Sequence, residues 1–142
     1  MQPIQNSQPI LLVDDNDDDV EAALRAFKRT NLRNPIVRAA TGAEALAMLR
    51  DRKVSPGLIL LDLNMPGLDG RRVLAILKGD VELRKIPVVV LTTSSDERDV
   101  DECYQLGANT YIQKPVDLDG LFAAIQRLKD YWFEIALLPR EL

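Results

Sequence analysis

Short apolar runs alternate with longer segments of helical pattern along most of the chain. Five runs have the length and composition of β-strands, namely residues 10–14, 36–40, 58–62, 87–92 and 110–113. Three of them, ILLVD, LILLD and PVVVLT, are almost continuously apolar, which is typical of parallel strands that are covered on both faces. Apolar residues at three- and four-residue spacing predict helices over 17–29, 42–52, 69–79 and 95–106, with a last one from residue 117 past residue 128.

Five strand-then-helix units in a row predict a doubly wound α/β fold around a parallel sheet. We expect one domain over residues 9–130, followed by a C-terminal extension over residues 131–142. Sheets of this type bind ligands beyond the carboxyl ends of their strands, at the point where the strand order reverses. Functional side chains are therefore expected where the strands end.

Polar residues follow four of the predicted strands. The first strand ends in VDDNDDD, the third in Asp62 and the fourth in TTSS, and the fifth leads into a Lys-Pro pair. The fold thereby gathers Asp14, Asp15, Asp62, Thr92 and Lys114 at one edge. Three close carboxylates repel one another and require a cation between them, and ligands that are all oxygen atoms suit Mg²⁺ or Mn²⁺. The Lys114 ammonium provides a second positive charge that can hold a phosphoryl oxygen or the carboxylate itself, and the Thr92 hydroxyl can donate a hydrogen bond to the same anion.

Each of these residues has a simpler explanation when it is taken alone. Asp14 and Asp15 can simply precede a helix, Lys114 can be a solvated surface residue, and Thr92 can be an ordinary strand residue. The acidic residues 17–19 complement the dipole of the helix that they begin. It is the joint appearance of polar residues at four strand ends that favours a shared site.

Composition narrows the classes of function. The 142-residue chain contains no histidine, which excludes Ser-His-Asp and Cys-His catalysis and histidine-ligated zinc. Its net charge of −4 argues against nucleic acid as the main partner. It has neither an apolar run long enough to span a membrane nor a signal peptide's features at its start, so we expect a cytoplasmic protein without membrane contact. The single cysteine, Cys103, is expected to be a packing residue.

The motifs VDDN, LLDLNMPGLDG, VVVLTTSS and YIQKP together resemble the receiver domains of two-component response regulators, in order and spacing. The resemblance implies a flavodoxin-like receiver fold with strand order 2-1-3-4-5. It also implies that Asp62 accepts a phosphoryl group from a sensor histidine kinase, with Thr92 and Lys114 contacting the phosphoryl oxygens. The residues it implies as Mg²⁺ ligands are Asp14, Asp15, Asp62 and, through its backbone carbonyl, Asn64.

The same resemblance has three finer implications. Tyr111 matches a position that often holds a switch aromatic, whose burial changes as Thr92 moves toward the phosphoryl group. Pro115 matches a position that commonly follows a cis peptide bond. The segments IPVVVLTTSSDERDV and YWFEIALLP are similar to single-domain response regulators that partner bacterial and cyanobacterial phytochromes, which implies a phytochrome as the partner kinase.

The predicted extension is rich in large apolar side chains. Leaving six of them exposed is unfavourable, because each stabilises by about 1.5–3 kcal/mol when it is fully covered. Aromatic residues at a chain end are typical interface anchors, so we expect a homodimer held partly by this segment; folding back onto the same domain is the alternative. The residues concerned are Tyr131, Trp132, Phe133, Ile135, Leu137 and Leu138.

Two other functions stay open at this point. A phosphohydrolase of the haloacid-dehalogenase type also uses an aspartate nucleophile with magnesium, threonine and lysine. Such enzymes usually carry a second aspartate two residues after the nucleophile, and here Asn64 stands there, which cannot exchange a proton in that role. A non-phosphorylated adaptor is the other alternative, and the complete polar set argues against it. We expect a phosphoacceptor rather than an enzyme.

Overall fold

Five parallel strands form one sheet in this computed structural model, which describes residues 3–5 and 7–138. The spatial order of the strands is 2-1-3-4-5. This confirms both the doubly wound topology predicted from the alternation and the strand order that the resemblance implied. The strands are β1 (Ile10–Val13), β2 (Ile36–Ala39), β3 (Leu58–Leu61), β4 (Val88–Thr92) and β5 (Thr110–Gln113).

Five α-helices connect and follow the strands, and every predicted boundary lies within two residues of the observed one. A 3₁₀ turn at Leu83–Lys85 precedes β4, and a turn with wider, π-type hydrogen bonding at Asp130–Ile135 follows the last helix. The helices are α1 (Asp17–Arg29), α2 (Gly42–Arg50), α3 (Gly70–Gly79), α4 (Glu97–Leu106) and α5 (Leu118–Lys129).

The helix ends explain the small differences in boundary. Asp69, Asp96 and Asp117 have extended backbones and cap the following helix, each accepting a hydrogen bond from a backbone N–H of the first turn. Helices α3 and α5 therefore begin one residue later than predicted, and α4 begins two residues later. Helix α2 ends at Arg50 instead of residue 52, because Arg52 adopts a left-handed backbone with φ of 56°.

Two apolar layers cover the sheet, one on each face. One layer packs α2, α3 and part of α4 onto the sheet, and it contains Cys103. The other packs α1 and α5 onto the opposite face. Cys103 is fully buried, and burial raises the pKa of its thiol to about 11. The predicted packing role of Cys103 is therefore confirmed, since a buried thiol with a raised pKa is a poor nucleophile.

The apolar C-terminal segment divides into a docked part and an exposed part. Trp132 is only 8% exposed and joins the layer of α1 and α5, with Phe133 and Leu138 packed partly against it. Tyr131 and Leu137 remain 52% and 59% exposed. The fold-back alternative therefore applies to Trp132, Phe133 and Leu138. The predicted extension also includes residues 139–142, which lie outside the described part of the chain.

No helix in the described part is long and apolar enough to cross a bilayer.

Candidate functional site

Three carboxylates meet where β1 and β3 end. Asp14 and Asp15 follow β1 and Asp62 follows β3, and one oxygen of each lies within 4.8 Å of the others. Asp14 and Asp62 are buried, whereas Asp15 is exposed. The structure therefore brings together the three side chains that the sequence predicted as metal ligands. A donor set of three carboxylate oxygens fits Mg²⁺ or Mn²⁺.

The sheet itself positions the two buried carboxylates. The Asp14 N–H donates to the Ala39 carbonyl of β2 at 3.1 Å, and the Asp62 N–H donates to the Val13 carbonyl of β1 at 3.0 Å. These bonds extend the parallel pairing by one residue beyond each strand. Because β1 and β3 are paired side by side up to these residues, the two side chains leave the sheet from adjacent backbone positions.

Lys114 lies beside this acidic cluster. Its Nζ donates to Asp14 Oδ2 at 3.1 Å and to Asp19 Oδ2 at 3.2 Å, and its side chain is 12% exposed. Burial disfavours the ammonium, but the charges and hydrogen bonds of Asp14 and Asp19, with the charge of Asp62, outweigh it and raise the pKa of Lys114. Lys114 is therefore positively charged throughout the physiological pH range. The sequence assigned Asp19 only to the helix dipole, because nothing in a run of three aspartates indicates which one faces the site.

Asp62 is held in an environment that disfavours its charge. Burial raises the pKa of its carboxyl, and the negative charge of Asp14 adds to the effect. Lys114, the backbone N–H of Asn64 and the Thr92 hydroxyl act in the opposite direction without cancelling it. A divalent cation between these carboxylates would relieve the repulsion that remains.

Thr92 and Asn64 form the wall of the site beside Asp62. Thr92, the last residue of β4, is wholly buried, and the Asn64 side-chain amide lies 3.5 Å from its hydroxyl. The position of Thr92 at a strand end predicts a side chain near the surface, and the structure shows that this expectation is wrong. Its burial follows from the sheet order, since β4 lies between β3 and β5. Asn64 is exposed on the loop after β3.

The glycine of the MPGLDG motif shapes the loop behind Asp62. A Cβ on Gly70 would lie 2.2 Å from the Asp62 carbonyl oxygen and 2.6 Å from Leu63 Cα, so only glycine fits. The Gly70 N–H donates to the Leu63 carbonyl at 3.1 Å, which closes the loop, and Asp69 caps α3 immediately before it. The motif is distinguished in the sequence only by its turn-forming residues, which do not indicate this close contact with the Asp62 backbone.

A chain of hydrogen bonds connects β5 to α3 through the loop after β4. The Tyr111 hydroxyl donates to the Ser94 carbonyl at 2.8 Å, and the Ser94 hydroxyl donates to Asp99 at 2.6 Å. Asp99 on α4 is in turn paired with Arg71 on α3. Tyr111 is partly buried against the layer of α2 and α3. The structure therefore links the predicted switch tyrosine to the loop that begins directly after Thr92.

The peptide bond before Pro115 differs from what the resemblance implied. No peptide bond between described residues is cis, so the Lys114–Pro115 bond is trans. Trans is the intrinsically favoured form of such bonds, by about 0.5–1 kcal/mol. In this arrangement the Lys114 N–H still donates to the Thr92 carbonyl, which pairs the end of β5 with β4.

The fold and the site together define a class of protein, and comparison with known families agrees. The chain belongs to the response regulator receiver domain family, whose model matches residues 10–126. It is 39% identical over 135 residues to response regulator Rcp1 of Synechocystis sp., covering 92% of each chain.

Two solved structures have the same architecture. The phosphorylated cyanobacterial phytochrome response regulator RcpA matches with a TM-score of 0.88 at 40% identity, over 94% of this chain and 99% of that one. The Mn²⁺-bound form of Rcp1 matches with a TM-score of 0.86 at 38% identity, with the same coverage. These matches confirm the flavodoxin-like receiver fold and the resemblance from which the site was predicted.

Proposed function

We propose that this protein is a response regulator whose Asp62 accepts a phosphoryl group from a sensor histidine kinase. The observation that carries the proposal is the position of the Asp62 carboxylate, which lies within 4.8 Å of Asp14 and Asp15 and is influenced by the Lys114 charge. Transfer of a phosphoryl group to a carboxylate oxygen requires a carboxylate nucleophile that lies beside a cation site and an ammonium group.

The transfer balances without any further reactant. An oxygen of Asp62 attacks the phosphorus of the donor's phosphohistidine, a P–O bond forms, and the P–N bond breaks. The imidazole leaves with the electron pair of that bond and takes up a proton. Mg²⁺, when bound by Asp14, Asp15 and Asp62, supplies positive charge for the phosphoryl oxygens. We assign the backbone carbonyl of Asn64 as a fourth protein ligand.

Lys114 and Thr92 are proposed to hold the phosphoryl group after transfer. Both lie beside Asp62, and both stabilise its negative charge in the present arrangement. Lys114 needs to exchange one of its two carboxylate contacts for a phosphoryl oxygen, which is feasible because Asp19 is 40% exposed and can be solvated instead. The Thr92 hydroxyl can donate to a second phosphoryl oxygen.

We propose that the switch runs from Thr92 to Tyr111. The loop after Thr92 contains Ser94, whose carbonyl accepts the Tyr111 hydroxyl and whose own hydroxyl binds Asp99. A shift of Thr92 toward a phosphoryl group pulls on this loop and changes the environment of Tyr111. The surface formed by α4 and β5 then changes with the phosphorylation state.

The kinase partner is proposed to be a phytochrome acting in the cytoplasm. The similar protein RcpA is a cyanobacterial phytochrome response regulator, and the likeness covers 94% of this chain at 40% identity. Recognition by the same class of kinase requires a similar surface, which this degree of identity supports. The negative net charge agrees with a protein partner and not with nucleic acid.

We further propose a homodimer that uses the exposed part of the C-terminal segment. Tyr131, Ile135 and Leu137 are 52%, 68% and 59% exposed, so three large apolar side chains near one another in sequence remain uncovered in the single chain. Tyr104 on α4 is another large exposed side chain, at 49%. A second copy of the chain is the proposed cover for the exposed residues of the segment.

Acetyl phosphate treatment in the presence of Mg²⁺ tests the central proposal. We expect intact-mass spectrometry to detect one phosphoryl group per chain, which is lost in Asp62→Asn and retained in Asp18→Asn, a matched change at an exposed acidic residue outside the cluster. Full labelling of Asp62→Asn would refute the assignment. Repeated release of phosphate from small esters would favour the phosphohydrolase, and absence of labelling would favour the adaptor.

A further inference from the structure

An arginine on the edge strand reaches over the end of β1 and contacts the acidic loop. Arg38 lies on β2, and its Nε donates to the main-chain carbonyl of Asp14 at 3.1 Å. Its Nη1 lies 2.6 Å from Oδ1 of Asp17, the first residue of α1. The Arg38 side chain is 31% exposed and the Asp17 side chain is 85% exposed. The guanidinium thus joins both ends of the segment that follows β1.

These contacts fix the two peptide planes that flank Asp14. The Asp14 N–H donates to the Ala39 carbonyl, and the Asp14 carbonyl accepts from Arg38, so β2 binds the backbone on both sides of this residue. The second of these planes is the Asp14–Asp15 peptide, and its orientation decides where the Asp15 side chain points. Among the described residues, nothing forms a hydrogen bond or ion pair with the Asp15 side chain. Its direction therefore depends on the backbone.

We propose that Arg38 is a positioning residue for the metal site. By holding the Asp14–Asp15 peptide, it keeps the Asp15 carboxylate directed at Asp14 and Asp62 and so sets the affinity for Mg²⁺. The inference rests on the proposed function, in which these three carboxylates bind the ion. Groups that orient metal ligands typically change metal affinity 10- to 100-fold when they are removed.

Electrostatics alone predicts the opposite effect. Arg38 carries a positive charge next to a site for a cation, so deleting that charge should strengthen Mg²⁺ binding if charge were its only contribution. The positioning role predicts weaker binding. The sign of the change in affinity therefore separates the two explanations, and a merely structural role predicts no change in affinity once the protein is folded.

The test is isothermal titration calorimetry with Mg²⁺ on the full chain and three variants. We expect Arg38→Gln to weaken binding by about tenfold or more. Arg38→Lys keeps the charge but has no Nε, so it should also weaken binding. Asp17→Asn is the matched control, because it removes the exposed ion-pair partner and leaves the Asp14 carbonyl contact in place. Its affinity should stay close to that of the unaltered protein.

A second measurement separates metal affinity from phosphoryl transfer. Labelling of Arg38→Gln by acetyl phosphate should fall at low Mg²⁺ and recover at high Mg²⁺, because the acceptor itself is unchanged. Thermal melts without metal establish that each variant is folded, and Arg38→Lys gives the comparison if Arg38→Gln does not fold.

Equal or tighter Mg²⁺ binding by both Arg38 variants overturns this inference while leaving the metal site intact. Absence of Mg²⁺ binding by the unaltered protein overturns the proposed metal site, and the inference with it.

Discussion

Lys114 donates a 3.1 Å hydrogen bond to Asp14, one of the three carboxylates of the cluster. The other oxygen of Asp14 accepts the Asn16 N–H at 3.0 Å. Both oxygens of the Asp14 carboxylate therefore already accept a hydrogen bond, and a cation that binds Asp14 shares this carboxylate with Lys114. In the proposed mechanism, the metal ion and the Lys114 ammonium would compete for Asp14 before phosphorylation and would both contact the phosphoryl group afterwards.

This competition predicts opposite effects for Lys114→Ala. Mg²⁺ should bind more tightly, because a competing positive charge is removed, whereas the extent of phosphorylation should fall. Without metal the variant should be less stable, because it leaves the buried Asp14 carboxylate without its positively charged partner. Titration calorimetry and labelling on the same samples measure both effects. Lys53→Ala, at an exposed position, is the control and should change neither.

Asp62→Asn should stabilise the metal-free protein at neutral pH. The folded-state pKa of Asp62 is raised by burial and by the charge of Asp14. The folded protein therefore binds this proton more tightly than the unfolded chain does, and stability falls as pH rises through the interval between the two pKa values. The substitution removes that loss above the interval, and its advantage disappears in acid.

The same variant should lose most of the increase in melting temperature that Mg²⁺ gives the unaltered protein. Thermal melts across a pH series, with and without Mg²⁺, measure both parts. A metal-free variant that is less stable than the unaltered protein at every pH would contradict the first part. An unchanged metal response would contradict the second.

Asp99→Asn should weaken the coupling between Tyr111 and the site. The carboxylate of Asp99 accepts the Ser94 hydroxyl at 2.6 Å and pairs with Arg71, and these contacts lower its pKa. A neutral amide is a weaker acceptor for both partners. Addition of beryllofluoride to the Mg²⁺-loaded protein should shift the NMR resonances of Tyr111, and the shift should be smaller in this variant.

Asp101→Asn, at an exposed position of the same helix, is the comparison and should behave like the unaltered protein. A static Tyr111 whose resonances do not respond in any sample would refute the switch. An equal response in Asp99→Asn would remove Asp99 from the coupling and leave Tyr111 in it.

Ile135→Glu and Leu137→Glu should convert the proposed dimer to monomer without loss of stability. Both side chains are more than half exposed, so charge is tolerated in the folded chain but not in a covered interface. Light scattering at tens of micromolar measures the mass. Trp132→Ala is the contrasting change. It should lower the stability of each folded chain, because it removes a buried side chain. A full-length monomer at this concentration refutes the dimer.

Arg52→Gly should stabilise the protein by up to about 1 kcal/mol, because a left-handed backbone is costly for any residue with a Cβ. Arg52 has φ of 56° at the end of α2, and its exposed ion pair with Glu82, at 3.3 Å, contributes little. Arg52→Ala keeps the strain and loses the ion pair, so it should give no gain. Chemical denaturation of the three proteins gives the comparison.

The strands, the helices and the carboxylates at the strand ends could be predicted, because they depend on the local pattern of apolar and polar residues. The runs ILLVD and LILLD mark strands because parallel strands are apolar on both faces, and the carboxylates at their ends meet because parallel strands end at one edge. The helix starts at Asp69 and Asp117 were shifted by one residue, since a capping aspartate belongs to the pattern of its helix but not to the helix itself.

The unpredicted part depends on contacts between distant elements. Asp19 contacts Lys114, which is 95 residues away along the chain, and Arg38 contacts the Asp14 carbonyl from the next strand. Neither residue is distinguished by its neighbours in sequence. The burial of Thr92 and the docking of Trp132 likewise depend on which strand is central and which layer has room, and both are decided by the assembled sheet.

Trp132 is the chain's one tryptophan, and it is the buried side chain of the C-terminal segment in the layer of α1 and α5. The protein therefore carries its own optical probe at the junction between the receiver fold and the end of the chain. Indole emission at short wavelength reports a docked segment, and a shift to longer wavelength reports its release into water. Titrating a kinase, a metal ion or a phosphoryl donor while recording this emission follows the segment without any added label.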